Sequence, residues 1–178
     1  MKVFWIILAI VLPIMMLLFN KKVRVLGVFF EQFKVFRNAK TERLSIWDIL
    51  CFTIFPWGLS AILMFALKIK IPNGLAEILA TVFSLVFTIL FGFAAILVGR
   101  IDSGSDIERQ IIHETFVSII AATVLSLIVT ILSIAILIVN NDTALKIIWF
   151  AVLSISFVIV MLLLMITKRT FAIVNSKK

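Results

Sequence analysis

Long apolar runs, separated by short polar stretches, dominate the chain. A helix that crosses the hydrocarbon core of a bilayer needs about 20 mainly apolar residues. Five runs approach or reach that length, and we predict transmembrane helices over residues 3–19, 49–67, 75–98, 116–139 and 147–166. The pattern therefore predicts an all-α fold: an integral membrane helical bundle of four to five spans that forms a single transmembrane domain.

The first run is the weakest of the five. It is slightly short and Pro13 interrupts it. Only Lys2 precedes it and no small-residue cleavage site follows it, which argues against a cleaved signal peptide. We expect a span here, with a shallow or peripheral helix as the alternative.

Composition agrees with lipid as the solvent. Hydrophobic residues make up 63% of the chain and charged residues 15%, with a mean hydropathy of +1.26. Soluble domains have apolar and charged fractions nearer about one half and one quarter. The single cysteine, Cys51, excludes an intrachain disulfide.

The net charge of +8 follows the spans rather than forming a nucleic-acid patch. In a five-span arrangement, 13 of the 17 Lys and Arg residues fall on one side of the membrane. The positive-inside rule makes that side cytoplasmic, so the N-terminus is outside and the C-terminus is cytoplasmic. We expect a bacterial inner membrane, contact with membrane lipid, and no direct binding of nucleic acid.

The predicted spans carry no ionisable residue near their middles. Ion-coupled transporters and proton pumps usually need such groups inside the membrane. The only histidine is His113, so a multi-histidine metal site within one chain is excluded. We therefore expect neither an enzyme nor a bound metal or cofactor.

Small and hydroxyl-bearing residues recur at helical spacing in two spans. Such stripes let helices approach closely, and they predict a homo-oligomer packed through these spans. Packing within one chain and the wall of an oligomeric pore are the alternatives. The predicted oligomer face consists of Ser84, Thr88, Gly92, Ala122, Ser126 and Thr130.

Residues 21–45 are predicted to be a basic amphipathic segment on the cytoplasmic side. Leu26, Phe29, Phe33 and Phe36 share one face of a helix. The basic residues Lys34, Arg37 and Lys40 lie towards other faces. Such a segment either rests in the lipid headgroups or docks a soluble partner, because aromatic stripes also fill partner grooves.

The loop before the fourth span is the acidic feature on that side. Ser105 and Glu108 have the spacing of a capping box, which predicts a helix that starts near Asp106 and continues into the span. We predict that Asp106 and Glu108 contact a cytosolic partner or a neighbouring subunit. In the second span, Pro56 predicts a kink that serves packing or acts as a hinge.

Two stretches resemble a known family: TERLSIWDILCFTIFPWGLSAIL, from Thr41 to Leu63, and HETFVSIIAATVLSLIV, from His113 to Val129. Together with the span pattern, they resemble the membrane component of the Kiwa antiphage defence system. The resemblance implies a homo-oligomeric inner-membrane protein that detects phage infection and holds a cytosolic DNA-binding partner.

Three functions therefore stay open. The first is a membrane sensor or scaffold that recruits a cytosolic effector, and residues 21–45 with the acidic loop favour it. The second is an oligomeric pore that depolarises the membrane, which only the Ser/Thr stripes favour. The third is a small transporter or export accessory, and the lack of charge within the spans counts against it.

The charge distribution yields a topology test. Reporter tags fused to the N-terminus and to the C-terminus should report opposite sides of the membrane, because five spans put the chain ends on opposite faces. Accessibility of each tag in intact and permeabilised cells measures this. Two cytoplasmic termini would instead show an even number of spans.

Overall fold

A computed structural model describes residues 25–35, 46–67, 71–72, 74–99 and 106–175, together with Leu8, Leu12 and Met15. These residues form helices and their short connections, without a strand. The α-helices are α1 (Val25–Val35), α2 (Ile46–Ile49), α3 (Phe55–Ala61), α4 (Leu75–Val98), α5 (Asp106–Ile138) and α6 (Asp142–Asn175). Two π-helical segments, π1 (Leu50–Ile54) and π2 (Ile62–Ala66), flank α3.

Three helices of the described part, α4, α5 and α6, are long and apolar enough to cross a membrane. The apolar helix Leu50–Ala66 is shorter. The chain is thus an integral membrane protein with an all-α helical bundle, as predicted. Within the first predicted span, Leu8, Leu12 and Met15 are helical, and the rest of that span lies outside the described residues.

The long helix α5 occupies the centre of the bundle. It packs against α4, α6 and α1, while α3 packs against α6. Three residues of α5, Ile119, Ala121 and Val129, have no exposed surface, and they belong to the two apolar clusters of the interior. The helix is unbroken from Asp106 to Ile138, and the predicted cap residue Ser105 lies outside the described residues.

Small residues explain how closely α5 meets its neighbours. Ser118, Ala122 and Ser126 recur every four residues and are fully buried. The Ser118 hydroxyl donates to the Glu114 carbonyl at 2.9 Å, and the Ser126 hydroxyl donates to the Thr123 carbonyl at 2.8 Å. These hydroxyls therefore fit a dry interface without leaving a buried polar atom unpaired.

The second predicted span changes its helical pitch at its proline. Pro56 has no backbone N–H, and it is the second residue after π1. The Phe55 N–H donates to the Leu50 carbonyl five residues earlier. The Ser60 hydroxyl then donates to the Pro56 carbonyl at 2.9 Å. Proline interrupts the α-helical hydrogen-bond pattern because it lacks an N–H. The wider π-turn accommodates this interruption by pairing N–H groups with carbonyls five residues earlier.

Packing of α5 predicts the effect of adding bulk to it. Ala122→Leu should lower the thermal stability of the detergent-solubilised protein, because overpacking a tight interior costs about 1–3 kcal/mol. Ala66→Leu, at an exposed position of π2, is the matched control and should leave the melting temperature unchanged. Equal melting temperatures for both variants would contradict close packing of this face of α5.

Candidate partner-binding surface

Charged residues mark where α5 and α6 leave the hydrocarbon. Residues 115–141 and 147–167 contain no ionisable side chain. A hydrocarbon core of about 30 Å takes about 20 helical residues, which matches the uncharged part of α6. At one boundary, Arg169 Nη2 lies 3.3 Å from Glu114 Oε2. The Gln110 side chain donates to Oε1 of the same carboxylate at 3.0 Å, so this carboxylate joins the two helices.

Both helices continue past this ion pair. We call residues 106–114 of α5 and 168–175 of α6 the stub. At 1.5 Å per residue, eight or nine residues extend about 12 Å beyond the boundary. The headgroup layer on each side of a bilayer is only about 5–7 Å thick. The tip of the stub therefore reaches water.

The exposed side of the stub is cationic and carries one aromatic side chain. On α5 the exposed residues are Arg109, Gln110 and His113, and on α6 they include Lys168 and Phe171. Phe171 is 69% exposed. Arginine and aromatic residues are enriched among the residues that dominate binding energy at protein interfaces. The stub thus has the chemistry of a protein-binding surface.

The acidic contact predicted for this region looks different in the structure. Glu108 is half-buried, and both Glu108 and the exposed Arg109 interact within the chain. The Glu114 carboxylate is occupied by Arg169 and Gln110. Asp106 is helical, and its side chain lies outside the part of the chain that the structure describes. Among the described side chains, the exposed charge of the stub is therefore positive rather than negative.

Helix α1 lies deeper than the sequence suggested. Its Phe29 and Gln32 line a common cavity with Ala121 of α5 and Leu162 of α6. Ala121 comes seven residues after Glu114 in α5, and Leu162 comes seven residues before Arg169 in α6. That places this part of α1 about 10 Å inside the ion-pair boundary. Residues 25–35 thus pack against the bundle through contacts of α1 with α5, while Glu31 and Lys34 remain on the exposed side of α1.

The predicted aromatic and basic residues of this segment lie in different environments. Phe29 is half-buried and Phe33 is 46% exposed. Lys34 forms an ion pair with Glu31 at 2.5 Å on the exposed side of α1. The predicted Phe36, Arg37 and Lys40 lie outside the described residues. The most buried residue of α1 is Gln32, which the aromatic stripe did not include.

The predicted oligomer face consists of a part on α5 that is buried within the chain and a part on α4 that is exposed. Ala122 and Ser126 are fully buried inside the chain, and Thr130 is half-buried, so the α5 part of this face serves packing within the chain. Ser84, Thr88 and Gly92 are exposed on α4.

The exposed residues of α4 stand opposite its buried side. At 100° per residue, Ser84, Thr88 and Gly92 lie on the side of α4 that faces away from the buried Phe83 and Leu90. The α4 part of the predicted face thus remains available to a second chain.

Lys168 and Phe171 were missed by the sequence analysis, whereas Arg109, Gln110 and His113 belong to the loop that it predicted to contact a partner. One signal was present: the uncharged stretch of α6 ends at Thr167, and basic residues follow directly. The continuation of the helix past that point and the pairing of Glu114 were not visible in the pattern. Comparisons of the chain with family models, with curated proteins and with solved structures find no match.

Proposed function

We propose that the protein is a homo-oligomeric membrane scaffold that holds a soluble cytosolic protein on its stub. The observation that carries the proposal is the joint extension of α5 and α6 about 12 Å past the Glu114–Arg169 ion pair, beyond the headgroup layer. A surface that only contacted lipid headgroups would not need to extend so far. The charge distribution of the whole chain puts this end of the bundle in the cytoplasm.

The exposed residues indicate what kind of partner fits. Arg109 and Lys168 favour an acidic surface and would speed the encounter by attraction between opposite charges. Phe171, which is 69% exposed, would supply most of the affinity once buried in a pocket of the partner. The proposed partner therefore has an acidic rim around an apolar pocket.

A sensing role follows from the continuity of the helices. Helices α5 and α6 each run from one side of the membrane to the other without a break. They are joined by the short connection at residues 139–141 at one end and by the Glu114–Arg169 ion pair at the other. A change in their packing at the far side would move the stub as a unit. The resemblance to the Kiwa membrane component adds antiphage defence and a DNA-binding partner to this proposal.

A pore is the second candidate. The hydroxyls of Thr81, Ser84 and Thr88 lie on the exposed side of α4, where an oligomer with that side inward would place them around an axis. Each hydroxyl already donates to a backbone carbonyl of α4, at 2.9–3.0 Å. Conductance across liposomes that contain the purified protein alone would favour this candidate over the scaffold.

Charge reversal on the stub tests the scaffold. Arg109→Glu with Lys168→Glu should reduce co-purification of the partner from native membranes at least tenfold, because the attraction becomes repulsion. Phe171→Ser should have a similar effect through lost apolar contact. Quantitative mass spectrometry of the tagged protein in mild detergent measures both losses.

Lys146→Glu, at the opposite end of α6, is the matched control. Lys146 is also exposed, so reversing its charge should leave both the partner and the membrane level unchanged. Retention of the partner by all stub variants would contradict docking on the stub.

The exposed side of α4 yields the test of assembly. Ser84→Leu with Gly92→Leu should shift the detergent-solubilised protein to a lower mass on native electrophoresis, because close helix contact needs small residues. Nothing lies within 4 Å of a Cβ built on Gly92, so the chain itself tolerates the change. Val82→Phe adds similar bulk at an exposed position outside this face and should keep the mass. An unchanged mass for the double variant would exclude this interface.

A further inference from the structure

A half-open cavity of about 170 Å³ lies between α1, π1, α3, α5 and α6. Four aromatic side chains contribute to its wall: Phe29 and Phe33 from α1, Phe52 from π1, and Trp57 from α3. Most of the remaining wall is aliphatic, and none of the described residues that line it is charged. A cavity of about 150 Å³ in another protein admits benzene, so this one has room for a small ring.

One polar side chain in this wall is conspicuous. Gln32 is only 6% exposed, and both its Nε2 and its Oε1 are buried without a hydrogen-bond partner in the described part of the chain. A buried amide without partners destabilises a fold, because burial also removes it from water. The amide is therefore explained by a ligand that hydrogen-bonds to it.

We propose that this cavity binds a neutral, flat, membrane-soluble molecule that carries a hydroxyl group, of the phenol or quinol class. The Gln32 Nε2 donates a hydrogen bond to the ligand oxygen, or the ligand hydroxyl donates a hydrogen bond to Oε1. The aromatic side chains of α1, π1 and α3 contact the ring by stacking or edge contacts. The described part of the wall carries no charge and so favours a neutral molecule over an ion. This inference goes beyond the proposed scaffold and does not depend on it.

Trp57 provides the reporter for a test, since it lines the cavity. Replacing Trp5, Trp47 and Trp149 by Phe leaves Trp57 as the only tryptophan. The purified single-tryptophan protein in lipid nanodiscs is titrated at pH 6 with 3,5-dibromophenol, which is neutral there, and separately with 1,3-dibromobenzene, which lacks the hydroxyl. The heavy bromine atoms quench tryptophan fluorescence on contact.

Dibromophenol should quench Trp57 saturably. Gln32→Leu should weaken its apparent affinity about fivefold, the effect expected from losing one hydrogen bond. The affinity for dibromobenzene should stay the same or rise, because this ligand makes no hydrogen bond to the amide. Partition of each probe into lipid is common to both variants and so cancels from the comparison.

Two further variants complete the design. Asn140→Leu removes an exposed side-chain amide at the opposite end of α5 and should alter neither affinity. Ala121→Phe should fill the cavity and abolish saturable quenching by both probes, while elution as a single peak shows that it folds.

The proposal is overturned by an unchanged affinity of dibromophenol in Gln32→Leu, because the amide then does not contact the ligand. Quenching that rises linearly, without saturation, would also overturn it, since lipid or water would then fill the cavity.

Discussion

In a bilayer, apolar helices gain little by exchanging lipid for one another, so close contact between helices has to come from shape and hydrogen bonding. Helix α5 meets this constraint. Its small residues Ser118, Ala122 and Ser126 are fully buried and let α4 and α6 approach. The hydroxyls of the two serines donate to carbonyls of the same helix, so neither is buried without a hydrogen-bond partner. The positions of α1, of the cavity and of the stub all depend on this central helix.

Polar groups at the two depths of the bundle have different consequences. At the boundary, the Glu114–Arg169 pair is partly exposed and is supported by Gln110. Gln32 is only 6% exposed and has no hydrogen-bond partner among the described residues. A group of the first kind contributes little stability and mainly aligns two helices. A buried amide without a partner destabilises the empty bundle and favours binding of a molecule that forms hydrogen bonds with it.

These two sites share the same helices. Ala121 in the cavity wall and Glu114 at the boundary are both on α5, and Leu162 and Arg169 are both on α6, seven residues apart in each case. A molecule that enters the cavity would therefore contact the helices that carry the stub, two helical turns away. The proposed scaffold and the proposed ligand site thus have a physical route for coupling, through the relative position of α5 and α6.

The sequence by itself determined the membrane class, the all-α fold and the residues of α4. These follow from hydropathy and charge position, which act along the chain and need no knowledge of neighbours. Only the tertiary structure decided which side of each helix meets protein. Apolar side chains surround α4 and α5, and in lipid an apolar side chain is equally acceptable facing outwards or inwards. Hydropathy therefore could not separate Ala122, inside the chain, from Gly92, on its surface. It also could not place Gln32 against α5, because that contact joins residues about 90 positions apart in the sequence.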